Sequence, residues 1–215
     1  MDFFIKALWE NPQFFFSWSL FVIFSICGHE YMHARVALME GDATAAERGY
    51  LTLNPFKQMG LFSLVMLALI GICWGMVPVN PANFRRKSSD LIVSLAGPLT
   101  NLALAIIFIV ILFIIRYLLR TGIEFSENTY SAFETAFWMI GNGAIMNLVL
   151  FFFNILPIPG FDGWSIVRHF VSVEKMMTSE FINGAGVVVL LLAMYFMDEI
   201  FMVAAVIVDF ILKLF

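Results

Sequence analysis

FFFSWSLFVIFSICGHEYMHARVALM, residues 14–39, is an apolar run whose second half carries His29-Glu30-Tyr31-Met32-His33. A hydrocarbon core of about 30 Å needs about 20 apolar residues in helical form, so the run predicts a spanning helix. Two histidines four apart on a helix differ by about 40° of rotation and roughly 6 Å of rise, so both imidazoles reach one metal ion. In this pattern two histidines hold zinc, an open coordination position takes water, and the glutamate between them removes the water's proton. The chain has only three histidines, and two of them stand here. Ionisable groups at membrane depth are costly enough to be functional by default.

The rest of the chain fits a polytopic membrane protein. Of 215 residues, 61% are hydrophobic and 13% charged, against about 45–50% and 25% in soluble domains. Apolar runs at 14–39, 91–116, 130–155 and 186–208 predict about four spanning helices, and the run 61–78 is marginal in length. The fold class expected is therefore all-α, with about four spans, a re-entrant segment and a short β-hairpin near the site. We read 1–215 as a single integral-membrane domain with a core at 14–177 and an extra C-terminal helix at 185–210. The net charge of −4 and the lack of a basic block longer than Arg85-Arg86-Lys87 exclude nucleic acid as a partner. The first run continues to Met39 without a small-residue cleavage site, so it reads as a retained helix. Cys27 and Cys73 both lie in apolar runs and read as small packing residues.

Between the runs lie the irregular segments. Tyr50-Leu51-Thr52-Leu53 alternates and is followed by Asn54-Pro55, which reads as a short strand or hairpin. It is either an edge that pairs with an extended peptide or an ordinary connection. Gly71 and Gly75 break the run 61–78, and irregular backbone at membrane depth must be covered by protein or line a cavity, so this run reads as re-entrant. Ser94-Leu95-Ala96-Gly97-Pro98-Leu99-Thr100-Asn101 is a small-residue stretch suited to close helix packing, with Asn101 free to bond a neighbouring helix. Asn154-Ile155-Leu156-Pro157-Ile158-Pro159-Gly160-Phe161-Asp162-Gly163 must unwind the run that precedes it.

A catalytic zinc normally takes three protein ligands. Candidates for the third are Asp162, His169, Asp42 and Asp90. Asp162 is favoured because it follows a broken membrane segment, whereas His169 stands among polar neighbours. Charge bias bears on the same question. If 61–78 crosses fully, the twelve Lys and Arg divide six and six. If it is re-entrant, Arg35, Arg48, Lys57, Arg85, Arg86, Lys87, Arg168 and Lys175 share one side against Lys6, Arg116, Arg120 and Lys213. Eight against four obeys the positive-inside rule, puts both termini outside, and returns Asp162 to the half that holds His29 and His33.

These residues resemble the site-2 protease family of intramembrane zinc metallopeptidases, in its compact form without a PDZ domain. The resemblance rests on His29-Glu30-Tyr31-Met32-His33-Ala34, Gly41-Asp42-Ala43-Thr44-Ala45, Leu51-Thr52-Leu53-Asn54-Pro55, Pro78-Val79-Asn80-Pro81, Leu95-Ala96-Gly97-Pro98-Leu99-Thr100-Asn101 and the segment from Asn154 to Gly163. Gly160 and Phe161 replace the usual proline and leucine before the aspartate. The resemblance implies hydrolysis of peptide bonds in or near transmembrane segments of membrane-anchored proteins. It implies one Zn2+ per chain held by His29, His33 and Asp162, with Glu30 as the base. It places Asn154 and Asn101 on the substrate or oxyanion side, as a side-chain amide can serve there. The expected partners are transmembrane substrates and the bilayer, and the expected location is a prokaryotic inner membrane in multi-pass form. Two competing classes are a membrane zinc carrier or assembly protein and an inactive helix-binding pseudoprotease. The intact Glu30 argues against both.

Overall fold

The computed structural model describes residues 4–121, 125–171, 184, 187, 188, 191, 192 and 195–213. A short helix α1 (Ala7–Glu10) leads into α2 (Pro12–Met39), started by Asn11, whose side chain accepts from the Phe14 amide, with Pro12 in the first turn. Two single turns, α3 (Thr44–Glu47) and α4 (Pro55–Gln58), precede α5 (Gly60–Ile70). The long helices α6 (Ser89–Arg120) and α7 (Glu127–Ile155) follow, then α8 (Asp162–Phe170) and α9 (Met197–Lys213).

Three of these, α2, α6 and α7, are long and apolar enough to cross a membrane. At 1.5 Å per residue their 28, 32 and 29 residues reach about 42, 48 and 44 Å, more than the hydrocarbon core. The expectation of four spans is thus corrected to three among the described residues. Of the run 186–208 the continuous described part is 195–208, most of it in α9, a helix that has 17 residues and ends at Lys213. The core boundary at 177 and several positions of the expected helix 185–210 lie outside the described residues.

The hairpin expected at 50–54 is not formed; among the described residues there is no strand. Its carbonyls have other partners. Gln58 Nε2 donates to the Tyr50 and Thr52 oxygens at 2.8 and 2.6 Å. Asn54-Pro55, which reads as a strand stop, is a helix start: the Asn54 side chain accepts from the Phe56 amide and Pro55 occupies the first turn of α4.

Helix α5 has 11 residues, about 16 Å, half of what a crossing needs. It stops at Gly71 with φ +78°, a conformation that favours glycine. Residues 72–80 then run back without regular structure. Ser63 Oγ donates to the Trp74 carbonyl and accepts from the Trp74 amide, at 2.7 and 2.8 Å, while the Met76 amide donates to the Gln58 carbonyl. Leu67 and Met59 pack with Val22, Ile26 and Cys27 of α2 and Met146 of α7, so this half-length excursion is fastened to the bundle.

The main core lies between α6, α7 and α9. Ala105, Ala144 and Ala204 are fully buried there beside Leu112, Leu148 and Val208, and the small side chains let the helices approach closely. Arg116 donates to the Leu212 carbonyl and ties the end of α9 to α6. Helix α6 packs on α2, α7 and α8, and is the element against which the functional side chains are set.

Candidate metal centre

The histidines enter the bundle from α2 and are buried, His29 at 6% and His33 at 8% exposure. His29 Nδ1 lies 2.6 Å from Asn101 Oδ1, and His33 Nδ1 lies 2.7 Å from the Val93 carbonyl, both on α6. Asn101 is oriented in turn: its Nδ2 donates to Asn147 Oδ1, and Asn147 Nδ2 donates to Ser25 Oγ and the Gly143 carbonyl. Asn101 Oδ1 and the Val93 oxygen are acceptors. Each Nδ1 therefore carries the proton and each Nε2 presents a lone pair.

Those lone pairs point at one another and at a carboxylate. The two Nε2 atoms are 3.0 Å apart, and each lies 3.2 Å from an oxygen of Asp162. With both ring protons committed elsewhere, the Nε2–Nε2 contact is no hydrogen bond. Asp162 Oδ2 is buried without a hydrogen-bond partner. Acceptors converging on one point with no donor among them call for a cation. Ligand atoms of His29, His33 and Asp162 all lie within 4.8 Å of one another, so the three could hold a metal ion, and two imidazoles with one carboxylate suit zinc.

Backbone packing brings Asp162 into place. Helix α7 ends at Ile155, before Pro157, as the residue preceding a proline disfavours helix. The chain turns through Gly160 at φ +98° and starts α8 with Asp162. A Cβ on Gly163 would sit 2.1 Å from the Ile155 oxygen and 2.4 Å from that of Leu156. Only glycine lets the start of α8 fold back onto the end of α7.

Two more glycines shape the centre, and the sequence marks neither as part of it: Gly75 reads only as a break in the run 61–78 and Gly97 only as one of a small-residue stretch. A Cβ on Gly97 would lie 2.3 and 2.4 Å from Nε2 of His33 and His29; a Cβ on Gly75 would lie 2.4 Å from Glu30 Cγ and 2.5 Å from its Oε1. Gly97 sits in the small-residue stretch that reads as helix packing, so its signal was present but general. Asn147 carries no signal at all, being one asparagine within an apolar run.

The other expected residues lie as follows. Glu30 is buried beside the histidines, with Gly75 on its flank. Asn154 is on the last turn of α7, its Nδ2 donating back to the Leu150 carbonyl. Asn101, expected on the substrate or oxyanion side, is fully buried behind His29 with both ends of its amide engaged. His169 is exposed and packs edge-on against Phe170. Asp42 is committed to a separate set of hydrogen bonds, and Asp90 is half-buried near the start of α6.

Comparison with known proteins points the same way. The chain is 36% identical over 162 residues to "Putative zinc metalloprotease YwhC" of Bacillus subtilis, covering 73% of this chain and 71% of that protein. It is 35% identical over 161 residues to "Putative zinc metalloprotease Rip2" of Mycolicibacterium smegmatis, covering 71% of this chain and 56% of Rip2. It is 34% identical over 140 residues to "Putative zinc metalloprotease MJ0611" of Methanocaldococcus jannaschii, covering 65% and 63%. The chain thus spans little more than half of Rip2. No family model and no solved structure matches it.

Proposed function

The chain belongs to the site-2 protease family of zinc metalloproteases, and from that premise we propose that it is an intramembrane zinc endopeptidase, cutting membrane-anchored proteins in or near their transmembrane segments. The observation that carries the proposal is the convergence of the His29 and His33 lone pairs with an unpartnered Asp162 oxygen, inside a bundle of helices long enough to span, beside Glu30.

His29, His33 and Asp162 are the residues we assign to zinc, one ion per chain. A zinc ion in such a site supplies Lewis acidity and makes water acidic enough to act near neutral pH. Glu30 is assigned as the base that takes the proton of the attacking water and returns it to the leaving amine. Gly75, lacking a Cβ, leaves its carboxylate room. Asn154 is assigned to the substrate or to the oxyanion formed at the scissile carbonyl, as an amide donor can serve. Asn101 we assign instead to holding the His29 ring.

The half-length α5 supports the re-entrant arrangement and, with it, the eight-against-four distribution of Lys and Arg. On that topology the site opens toward the cytoplasmic half of a prokaryotic inner membrane. Its substrates are transmembrane helices that must unwind, because an intact helix shields its carbonyls in its own hydrogen bonds.

The test is Glu30→Gln in zinc-loaded protein, assayed on a panel of membrane-anchored proteins. Glutamine keeps the shape and cannot take the proton. Zinc content should be unchanged while cleavage falls at least ~10²–10⁴-fold. Turnover comparable to wild type would sink the mechanism, and a wild-type protein that binds zinc and cuts nothing would favour a carrier or a pseudoprotease.

A further inference from the structure

Two buried carboxylates, Glu40 and Asp42, stand outside the metal centre. Asp42 is fully buried just beyond α2. Its Oδ1 accepts from the Thr44 amide at 3.1 Å, Thr44 Oγ1 at 2.5 Å and Asn83 Nδ2 at 2.8 Å, and its Oδ2 accepts from the Asn80 amide at 2.7 Å. Burial pushes this carboxyl up, and the hydrogen bonds from Thr44, Asn80 and Asn83 overcome that and hold it below the usual carboxylate range. Beside it, Glu40 accepts from Arg86 Nη2 and Ser89 Oγ, and its carbonyl accepts from the Arg85 amide. The turn between them is tight: Gly41 has φ +109°, and a Cβ there would lie 2.8 Å from Arg85 Cγ.

This clasp closes on the far end of the stretch 72–80. Ser63 and Gln58 hold the stretch near its start, at Trp74 and Met76. Gly75 lies between Trp74 and Met76, inside the fastening made by Ser63 and Gln58, and against the Glu30 carboxylate, while Asp42 holds the stretch four residues beyond Met76, at Asn80. A glutamate has three rotatable bonds, and a general base must stay within hydrogen-bond reach of its proton donor. The backbone wall at Gly75 limits where that carboxylate can go.

We propose that Asp42 is a positioning residue for Glu30: by clamping Asn80 and Asn83 it anchors the far end of the stretch that Ser63 and Gln58 hold on either side of Gly75, and so keeps the backbone that backs the carboxylate from shifting. The activity arm rests on the peptidase reading; the structural arm does not. Asp42→Asn keeps the shape and the Oδ1 acceptor but puts an amino group where the Asn80 amide donates, opening that end of the clasp. In zinc-loaded protein, zinc content should hold, kcat on a membrane-anchored test protein should fall about tenfold, as when a remote change misplaces a catalytic group, and KM should not move. Cys73, half-buried on the stretch, reports its position. In a Cys27→Ala background, N-ethylmaleimide should label Cys73 severalfold faster in the variant than in its parent. Labelling at the parental rate, or a loss of kcat that tracks loss of zinc, would overturn the proposal. If neither protein cuts any substrate the peptidase reading fails, and the labelling rate still decides the clamp. Should Asp42→Asn not fold, Asn83→Ala removes one donor and must show both effects in smaller measure.

Discussion

Two sets of buried polar groups flank α2, and they are built on opposite principles. Inside the bundle, Ser25, Asn147, Asn101 and His29 form a neutral chain, each amide spending its hydrogen bonds to orient the next group. At the end of the helix, Glu40 and Asp42 are anions surrounded by donors from the segment 80–89. The neutral chain leaves lone pairs aimed at one point, while the anionic clasp leaves no oxygen of Asp42 unmet. A metal centre needs the first kind of construction, because ligands must be oriented and yet remain open to the ion. A loop anchor needs the second. Charge buried at the clasp is affordable since every lone pair that matters finds a donor.

The comparison breaks most readily at the metal itself. Asp162→Ala should strip zinc and reduce cleavage to background, whereas His169→Ala, on an exposed ring, should change neither. Gly163→Ala should act almost as severely, because its Cβ would overlap the Ile155 and Leu156 carbonyls and push Asp162 off the histidines. Metal analysis of the purified variants decides this. Zinc retained in Asp162→Ala and lost in His169→Ala would reverse the ligand assignment.

How far the sequence foretold these features follows from what each depends on. His29, Glu30 and His33 are legible because helical periodicity alone puts them together. Asp162 is legible because Pro157, Pro159 and Gly160 announce a break that frees the next carboxylate. The half-length α5 is legible from Gly71 and Gly75. Asn101 could be found but not given its place, since only the packing of α6 on α2 turns it toward His29 rather than toward substrate. Alternation at 50–54 is a local signal and does not make a hairpin, because the bonds that decide the matter come from the side chain of Gln58, outside the segment. Asn147 and the Gly75–Glu30 contact depend wholly on tertiary approach.

A smaller effect sharpens the role of the neutral chain. Asn101→Ala removes the acceptor that fixes the His29 proton on Nδ1, so zinc affinity should fall about 10–100-fold, as when other outer-shell partners are lost. Asn147→Ala, one bond further out, should fall short of that. Competition with a zinc chelator of known affinity gives both values. Equal losses for the two would mean that the chain acts through helix packing and not through the ring.

The smallest effect separates the two sets by pH. Hydrogen bonds from Ser89 and Arg86 hold the Glu40 carboxyl below its ordinary value, and those from Thr44, Asn80 and Asn83 do the same for Asp42 against its burial. A carboxylate with a depressed folded-state pKa contributes stability that is fully present above its unfolded value, about 4, and is lost as pH falls through the folded value. The clasp should therefore hold its contribution from neutral pH down to about 5 and lose it in stronger acid. The amides of the neutral chain do not titrate. Zinc release in acid would destabilise every variant, so the informative quantity is the difference between wild type and Asp42→Asn in thermal midpoint. That difference should be constant from neutral pH to about 5 and shrink below about 4, because wild type then loses what the variant already lacks. The corresponding difference for Asn101→Ala should show no such narrowing before zinc leaves. A gap between wild type and Asp42→Asn that stayed flat into acid would mean that the buried carboxylate contributes shape alone, and the contrast between a charged clasp and a neutral orienting chain would collapse.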